Sequence, residues 1–251
     1  MSKRGRKLGL AIAGLAAGGA GAALWAPPNW LIDSLARFRP GCLYRVNLQV
    51  PLIALTIDDG PDPTGTPLIL AQLQRHQARA TFFLISGRVA GREPLVHELV
   101  RAGHELGNHL TRDEPSIRLH PAEFERALLE AHDILAPFGP VTWVRPGSGW
   151  YSRAMIAILR RHQYHCALGS VYPFDAAVPS AAFVARYVLR NVRPGAVVIL
   201  HDGARRGVRT ARVLQEVLPE LRRRGYQVVT LSELVRARSR CAGSLGSAAV
   251  M

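Results

Sequence analysis

Cysteine is scarce in this 251-residue chain, which has only Cys42, Cys166 and Cys241. Three of them, an odd number set far apart, exclude a mini-fold stapled by disulfides and any CxxC zinc ribbon. Acidic residues are also few, 18 against 32 Lys and Arg, so the formal net charge is +14. Aromatic residues make up 7%. They do not interleave with a basic stripe, and no reading helix stands out, which argues against a nucleic-acid partner. No period of 20–50 residues recurs, so solenoids and propellers are excluded. What is plentiful is apolar. Hydrophobic residues reach 48% against 20% charged, which excludes a disordered chain, and the length fits one α/β domain or at most two small ones.

The positive charge is unevenly placed. Lys3, Arg4, Arg6 and Lys7 precede an uncharged run from Leu8 to Ala26, and Arg236, Arg238 and Arg240 lie in a tail without acids. Basic residues followed by 19 apolar or small ones read as an export signal or a membrane anchor, with the amino end in the cytoplasm. Ala20-Gly21-Ala22 offers a cleavage site. The expected organisation is therefore a signal peptide or anchor over 1–30 and a linker over 31–49. A catalytic domain over 50–235 and a flexible basic tail over 236–251 complete it. The domain would face the periplasm or exterior, either anchored or released, and touch membrane only through its first segment. Its mild positive charge suits an anionic cell-surface polymer. Nothing in the pattern assigns an oligomeric state.

From residue 50 onward, short apolar runs alternate with segments of helical period. Strands are expected at Leu52–Ile57, Thr81–Ile85, Glu105–His109, Thr142–Arg145, His165–Gly169, Ala196–His201 and Gln227–Leu231. Helices are expected at Pro67–His76, Pro94–Ala102, Pro121–Leu135, Ser152–His162, Ala181–Asn191 and Thr210–Arg224. Strict alternation predicts parallel strands covered by helices. We expect a distorted (β/α)7-type barrel, with a doubly wound sheet as the alternative. Sites in such folds form at the carboxyl ends of strands. Asp58, Asp59, His109, Arg145 and His201 all fall there.

The segment TIDDGPDP (Thr56–Pro63) puts two carboxylates side by side at a strand end. Like charges so close need a cation, and a divalent metal would bind one Asp and leave its neighbour free as a base. In HLTRD (His109–Asp113), His and Asp stand at i and i+4. On a helical turn they would share a face, and with Asp59 they would form a two-carboxylate, one-imidazole metal set.

TIDDGP, a GNH-containing segment, an Arg-Pro-Gly loop and LHD, in that order over about residues 50–235, resemble the polysaccharide deacetylase family (NodB-homology domain, carbohydrate esterase family 4). The resemblance implies Asp58 as general base and Asp59 as metal ligand. It implies His109 as a second ligand and Asp113 as a third, where the family has a second histidine. It implies Arg145, in RPGSG, as the partner of Asp58, with Pro146 and Ser148 lining the substrate groove. Ser148 falls near an aromatic position of the family, and Trp150 and Tyr151 are expected to supply the missing sugar-stacking surface. In SVYPFDA, Asp175 is the expected orienter of the catalytic acid. His201 is that acid, with Leu200, or Ile199 in a second alignment, as the hydrophobic substrate contact before it and Asp202 as a further restraint.

The implied activity is metal-dependent removal of N-acetyl groups from an amino-sugar polymer that is chitin-like, peptidoglycan or exopolysaccharide. The implied cofactor is a divalent metal, zinc first, with cobalt, nickel or manganese as substitutes. Two alternatives stay open: a non-catalytic carbohydrate-binding relative, and an O-acetyl esterase using the same site.

Overall fold

The computed structural model describes Ser34, Phe38 and residues 41–247. The chain divides into two units, residues 1–39 and 40–251, and the second carries the sheet and the site. The expected export segment lies outside the described residues. Among those described, no helix is long and apolar enough to cross a membrane.

The second unit is a parallel α/β sheet. Its strands are β1 (Cys42–Leu43), β2 (Leu52–Gly60), β3 (Ala80–Leu84), β4 (Glu105–Asn108), β5 (Val141–Val144), β6 (His165–Ala167), β7 (Val197–His201) and β8 (Gln227–Val229). Its helices are α1 (Gly65–Arg75), α2 (Glu93–Arg101), α3 (Pro121–Leu135), α4 (Arg153–Arg161), α5 (Ala181–Asn191), α6 (Ala204–Arg223) and α7 (Leu231–Ser247). The strand order is β1-β6-β5-β4-β3-β2-β7, and β8 also pairs with β2. The chain just past β6 then returns to the far edge. Val171 bridges Val198 in parallel, and the Ser170 and Val171 amides both donate to the Val197 carbonyl, at 3.0 and 3.1 Å. That contact curls the sheet toward the expected distorted barrel.

Each of the seven expected strands is present, within a few residues at its ends. The segment expected as a linker contributes more than a connection. It supplies β1, and it buries Val46 and Leu48 in a cluster with Ala54, Phe83, Trp143, Ala167 and Val197. Leu231 and Leu234 of α7 join the same cluster, and α7 continues to Ser247, through much of the segment expected as a tail. In β1 and β6, Cys42 pairs in register with Cys166, their sulfurs 2.9 Å apart.

Helix α6 begins six residues before the expected Thr210. Its first turns, Ala-Arg-Arg-Gly-Val-Arg, show no clear apolar stripe, so periodicity alone misses them. This start matters because α6 and α1 cross at a glycine pair. A Cβ on Gly207 would meet the Gly65 Cα at 2.5 Å, and one on Gly65 would meet the Gly207 Cα at 2.8 Å. Either would also run into the Asp202 carboxylate. Only two bare backbones fit there.

Gly207→Ala is therefore expected to destabilise the fold by about 1–3 kcal/mol, the usual cost of overpacking. Urea unfolding monitored by circular dichroism should show a lower midpoint with an unchanged slope.

Candidate active site

Adjacent residues on a strand ordinarily face opposite sides of the sheet, yet Asp58 and Asp59 both line one cavity. A bulge resolves the conflict. Asp58 pairs with Phe83 and Gly60 with Leu84, so Asp59 is the extra residue. Its φ of 71° puts it in the left-handed region that residues other than glycine rarely enter.

Asp58 is held by Arg145, whose Nη1 donates to Asp58 Oδ1 at 2.5 Å and to Thr56 Oγ1 at 2.8 Å. The same guanidinium donates from Nε to the Ala167 carbonyl and from Nη2 to the Leu168 carbonyl, each at 3.1 Å. It lies 4.1 Å above the centre of the Phe83 ring. Arg145 is only 2% exposed. Four of its five N–H groups find acceptors, which offsets its cost of burial.

Across the cavity, Asp175 grips His201 twice. Oδ2 accepts from the His201 backbone amide at 2.8 Å, and Oδ1 lies 2.9 Å from Nδ1. The imidazole is fixed, with Nε2 as its remaining nitrogen. Burial alone would lower the His201 pKa, but the Asp175 hydrogen bond and the charges of Asp175, Asp58 and Asp59 outweigh it, and the net shift is upward. Asp202, expected to restrain His201, faces the other way. It accepts from the Thr66 hydroxyl and, at 2.7 Å, from the Gly203 amide beneath the glycine crossing. Burial raises its pKa to about 6 despite those two hydrogen bonds.

The expected metal set is only partly assembled. His109 Nδ1 donates to the Arg145 carbonyl at 2.6 Å, and its Nε2 stands 3.4 Å from Asp59 Oδ1. Burial lowers the His109 pKa, yet the Asp59 hydrogen bond and the charges of Asp58 and Asp59 raise it overall. Asp113 does not join them. Leu110 has a φ of 63°, so residues 109–113 form an irregular loop rather than a helical turn, and the i, i+4 argument lapses. Asp113 Oδ2 instead pairs with Arg88 Nη2 at 3.1 Å and lies 3.8 Å from Arg206 Nη2. Arg206 Nη1 takes Asp59 Oδ2 at 2.8 Å, and Arg88 Nη1 donates to the Asp59 carbonyl at 2.5 Å. Burial opposes the Asp59 charge, but His109, His201 and Arg206 bring its pKa down to about 2. Among the described residues, no group of three His, Cys, Asp or Glu side chains is placed to hold a metal ion. The donor set does not fit a three-ligand divalent site, because guanidinium groups hold its carboxylates.

The cavity is open and measures about 400 Å³. Pro146 and Ser148 line it as expected, along with Tyr44, Leu168, Tyr172 and Ile199. Three expected substrate contacts lie elsewhere. Leu200 is 1% exposed and packs outward against Leu214, Val217 and Leu218, since strand alternation gives the cavity Ile199 and His201. Tyr151 is 6% exposed, with its hydroxyl 3.0 Å from that of Tyr44. Trp150 is 60% exposed but does not line the cavity. The aromatic surface comes from Tyr44 and Tyr172, the latter with its ring 6.0 Å from that of His201. Sequence reasoning missed Tyr44, Arg88 and Arg206. An earlier start for α6 would have put Arg206 in its first turn, beside the strand-end histidine.

A fixed carboxylate facing a fixed imidazole, at the strand ends of a parallel sheet, is an arrangement suited to acid–base chemistry on a bound substrate. A polysaccharide deacetylase family model matches residues 45–167. The chain is 35% identical over 199 residues to a peptidoglycan-N-acetylglucosamine deacetylase of Bacillus cereus, covering 76% of this chain and 93% of that one. The crystal structure of the Bc1960 peptidoglycan N-acetylglucosamine deacetylase superposes with a TM-score of 0.74 at 25% identity, over 80% of this chain and 95% of the other. A family 4 acetyl xylan esterase of Clostridium thermocellum, solved with a cobalt ion, superposes at 0.68 with 28% identity, over 74% and 91%. This chain belongs to the polysaccharide deacetylase family, and it is a hydrolase of that family.

Arg145→Met should strand the buried Asp58 charge and cost about 3–5 kcal/mol of stability. Denaturant titration of the variant against the parent chain measures this directly.

Proposed function

We propose that this hydrolase removes N-acetyl groups from an amino-sugar polymer at the cell surface. The observation that carries the reading is the pairing of Asp58–Arg145 and His201–Asp175 on one cavity. The similarity to a peptidoglycan-N-acetylglucosamine deacetylase supports the substrate class. The basic block and apolar run over residues 3–26 support export to where such a polymer lies.

The residues divide the work as follows. Asp58 Oδ1 is committed to Arg145, which leaves Oδ2 to take a proton from the attacking water. The water oxygen bonds to the acetyl carbon, and the carbonyl pair moves onto its oxygen. As the carbon–nitrogen bond breaks, His201 gives its proton to the departing amine. An amine leaves poorly unless protonated, and the double contact from Asp175 keeps the imidazolium in place for that moment. Tyr44 and Tyr172 offer flat surfaces to a sugar ring. A divalent metal, where a family member holds one, polarises the carbonyl; the donors here do not fit it.

A second reading, hydrolysis of O-acetyl esters at the same site, is favoured by the similarity to an acetyl xylan esterase. The two differ in their need for acid, since an alkoxide leaves more readily than an amide nitrogen.

Asp58→Asn should lower acetate release from N-acetylated glycan by about 10²–10⁴-fold with an unchanged circular dichroism spectrum. Full retained activity would overturn the assignment. His201→Asn should cut N-acetyl release far more than O-acetyl release on a matched glycan panel. The raised His201 pKa predicts activity persisting above the ordinary imidazole range and falling as that proton is lost. In Asp175→Asn the alkaline limb of the kcat/KM profile should move to lower pH.

A further inference from the structure

We propose that Arg206 is the electrophile of this site, with its guanidinium in the role that a divalent metal would otherwise fill. The inference rests on the deacetylase reading above and concerns how the developing oxyanion is held.

Charge is the first argument. Asp58, Asp59 and Asp113 line one cavity, with Glu114 and Arg112 also on its wall, and each of the three aspartates is met by a guanidinium group. Arg145 holds Asp58, Arg206 holds Asp59, and Arg88 holds Asp113. The two acids that would have called for a divalent cation are matched by two fixed positive charges. Arg88 also donates to the Asp59 backbone carbonyl, so the left-handed turn at Asp59 is built around these arginines. A metal would have to displace Arg206 from Asp59 Oδ2 and strip Arg88 from Asp113.

Position is the second argument. Arg206 lines the cavity with Asp58 and His201, and its side chain is about one-third exposed, so part of the guanidinium faces the space where substrate must lie.

The step balances without an added reagent. Water supplies the oxygen, and Asp58 takes one of its protons. The tetrahedral oxygen carries its negative charge against Arg206. That charge returns as the carbonyl of acetate while the amine leaves with the His201 proton. Arg206 gains and loses nothing.

The test has a metal arm and a rate arm, both on the whole 251-residue chain. In the metal arm, cobalt(II) is titrated while ligand-field absorption and equilibrium-dialysis stoichiometry are read. The parent chain should bind well under one cobalt per chain. The triple variant Arg88→Ala, Arg206→Ala, Asp113→His should bind one, with new visible bands and an affinity at least about 100-fold higher, as expected once a third donor is freed. In the rate arm, chelator should leave acetate release from the parent unchanged. Arg206→Ala should lower kcat by about 10²–10³-fold with little change in KM, the typical loss on deleting an oxyanion donor. Arg206→Lys, which keeps the charge and the Asp59 contact, should recover part of it and guards against an unfolded alanine variant. One tight cobalt per parent chain, or acetate release abolished by chelator and restored by metal, would overturn the proposal. Absence of acetate from every glycan would sink the deacetylase reading instead, and the cobalt titration would still decide whether the arginines exclude the metal.

Discussion

Two neighbouring carboxylates at one strand end cannot coexist without positive charge close by, and that constraint shapes this molecule more than any other. At 4 Å, two like charges repel by about 4 kcal/mol in a protein-surface dielectric and by more when buried. Arg145 answers the demand for Asp58 and becomes a structural strut. Rooted just past β5, it reaches Thr56 and Asp58 on β2 and the carbonyls of Ala167 and Leu168 at the end of β6. It also lies on the Phe83 ring of β3. One side chain thus fastens four strands at the end of the sheet where the chemistry sits. The site and the closure of the fold depend on the same hydrogen bonds.

The second constraint acts beneath the site. His201 and Asp202 are consecutive, but they serve opposite faces of the sheet end. His201 turns to the cavity and to Asp175. Asp202 is fully buried under the crossing of α1 and α6, bonded to Thr66 of α1. The glycine pair allows the two helices to close over that carboxylate, and α6 then starts one residue after Gly203. That start fixes the direction in which Arg206 leaves the helix. A packing detail remote from substrate therefore sets the position of a charge inside the cavity.

Much of this was legible in the sequence because strand ends leave a recognisable trace. A short apolar run followed by Asp-Asp, His or Arg marks both the strand and its functional end, and Asp58, His109, Arg145 and His201 were found that way. The segments of helical period placed α3 and α5 to the residue. What escaped was set by local backbone geometry. The left-handed Leu110 turned HLTRD into a loop, and Asp113, though it lines the same cavity as Asp59 and His109, pairs with Arg88. Strand parity separated Ile199 from Leu200 at a point where the sequence carried two adjacent apolar residues and no reason to choose. Tyr151 looked like a sugar platform beside Trp150, but its hydroxyl meets Tyr44, which arrives from a segment read as a linker. The basic opening of α6 carried no apolar stripe, so Arg206 stayed invisible until the helix was seen to begin at Ala204.

A guanidinium and a divalent ion are not equivalent occupants of such a site, and the difference bears on everything around it. A metal accepts lone pairs from any open direction and lowers the pKa of water bound to it. A guanidinium is planar, donates along fixed edges and leaves the acidity of water nearly untouched. With Nη1 of Arg206 engaged by Asp59 and Nη2 lying 3.8 Å from Asp113, an oxyanion can approach only along what remains of the plane. The acetyl carbonyl must then enter in one orientation. Making the nucleophile falls wholly to Asp58, whose Oδ2 is left free by the single contact of Oδ1 to Arg145. Proton transfer and charge stabilisation become separate tasks on separate residues, and the double grip of Asp175 on His201 follows the same logic at the leaving nitrogen. The site thereby exchanges the adaptability of a metal for a set of covalently tethered charges, each held in place by an oppositely charged partner.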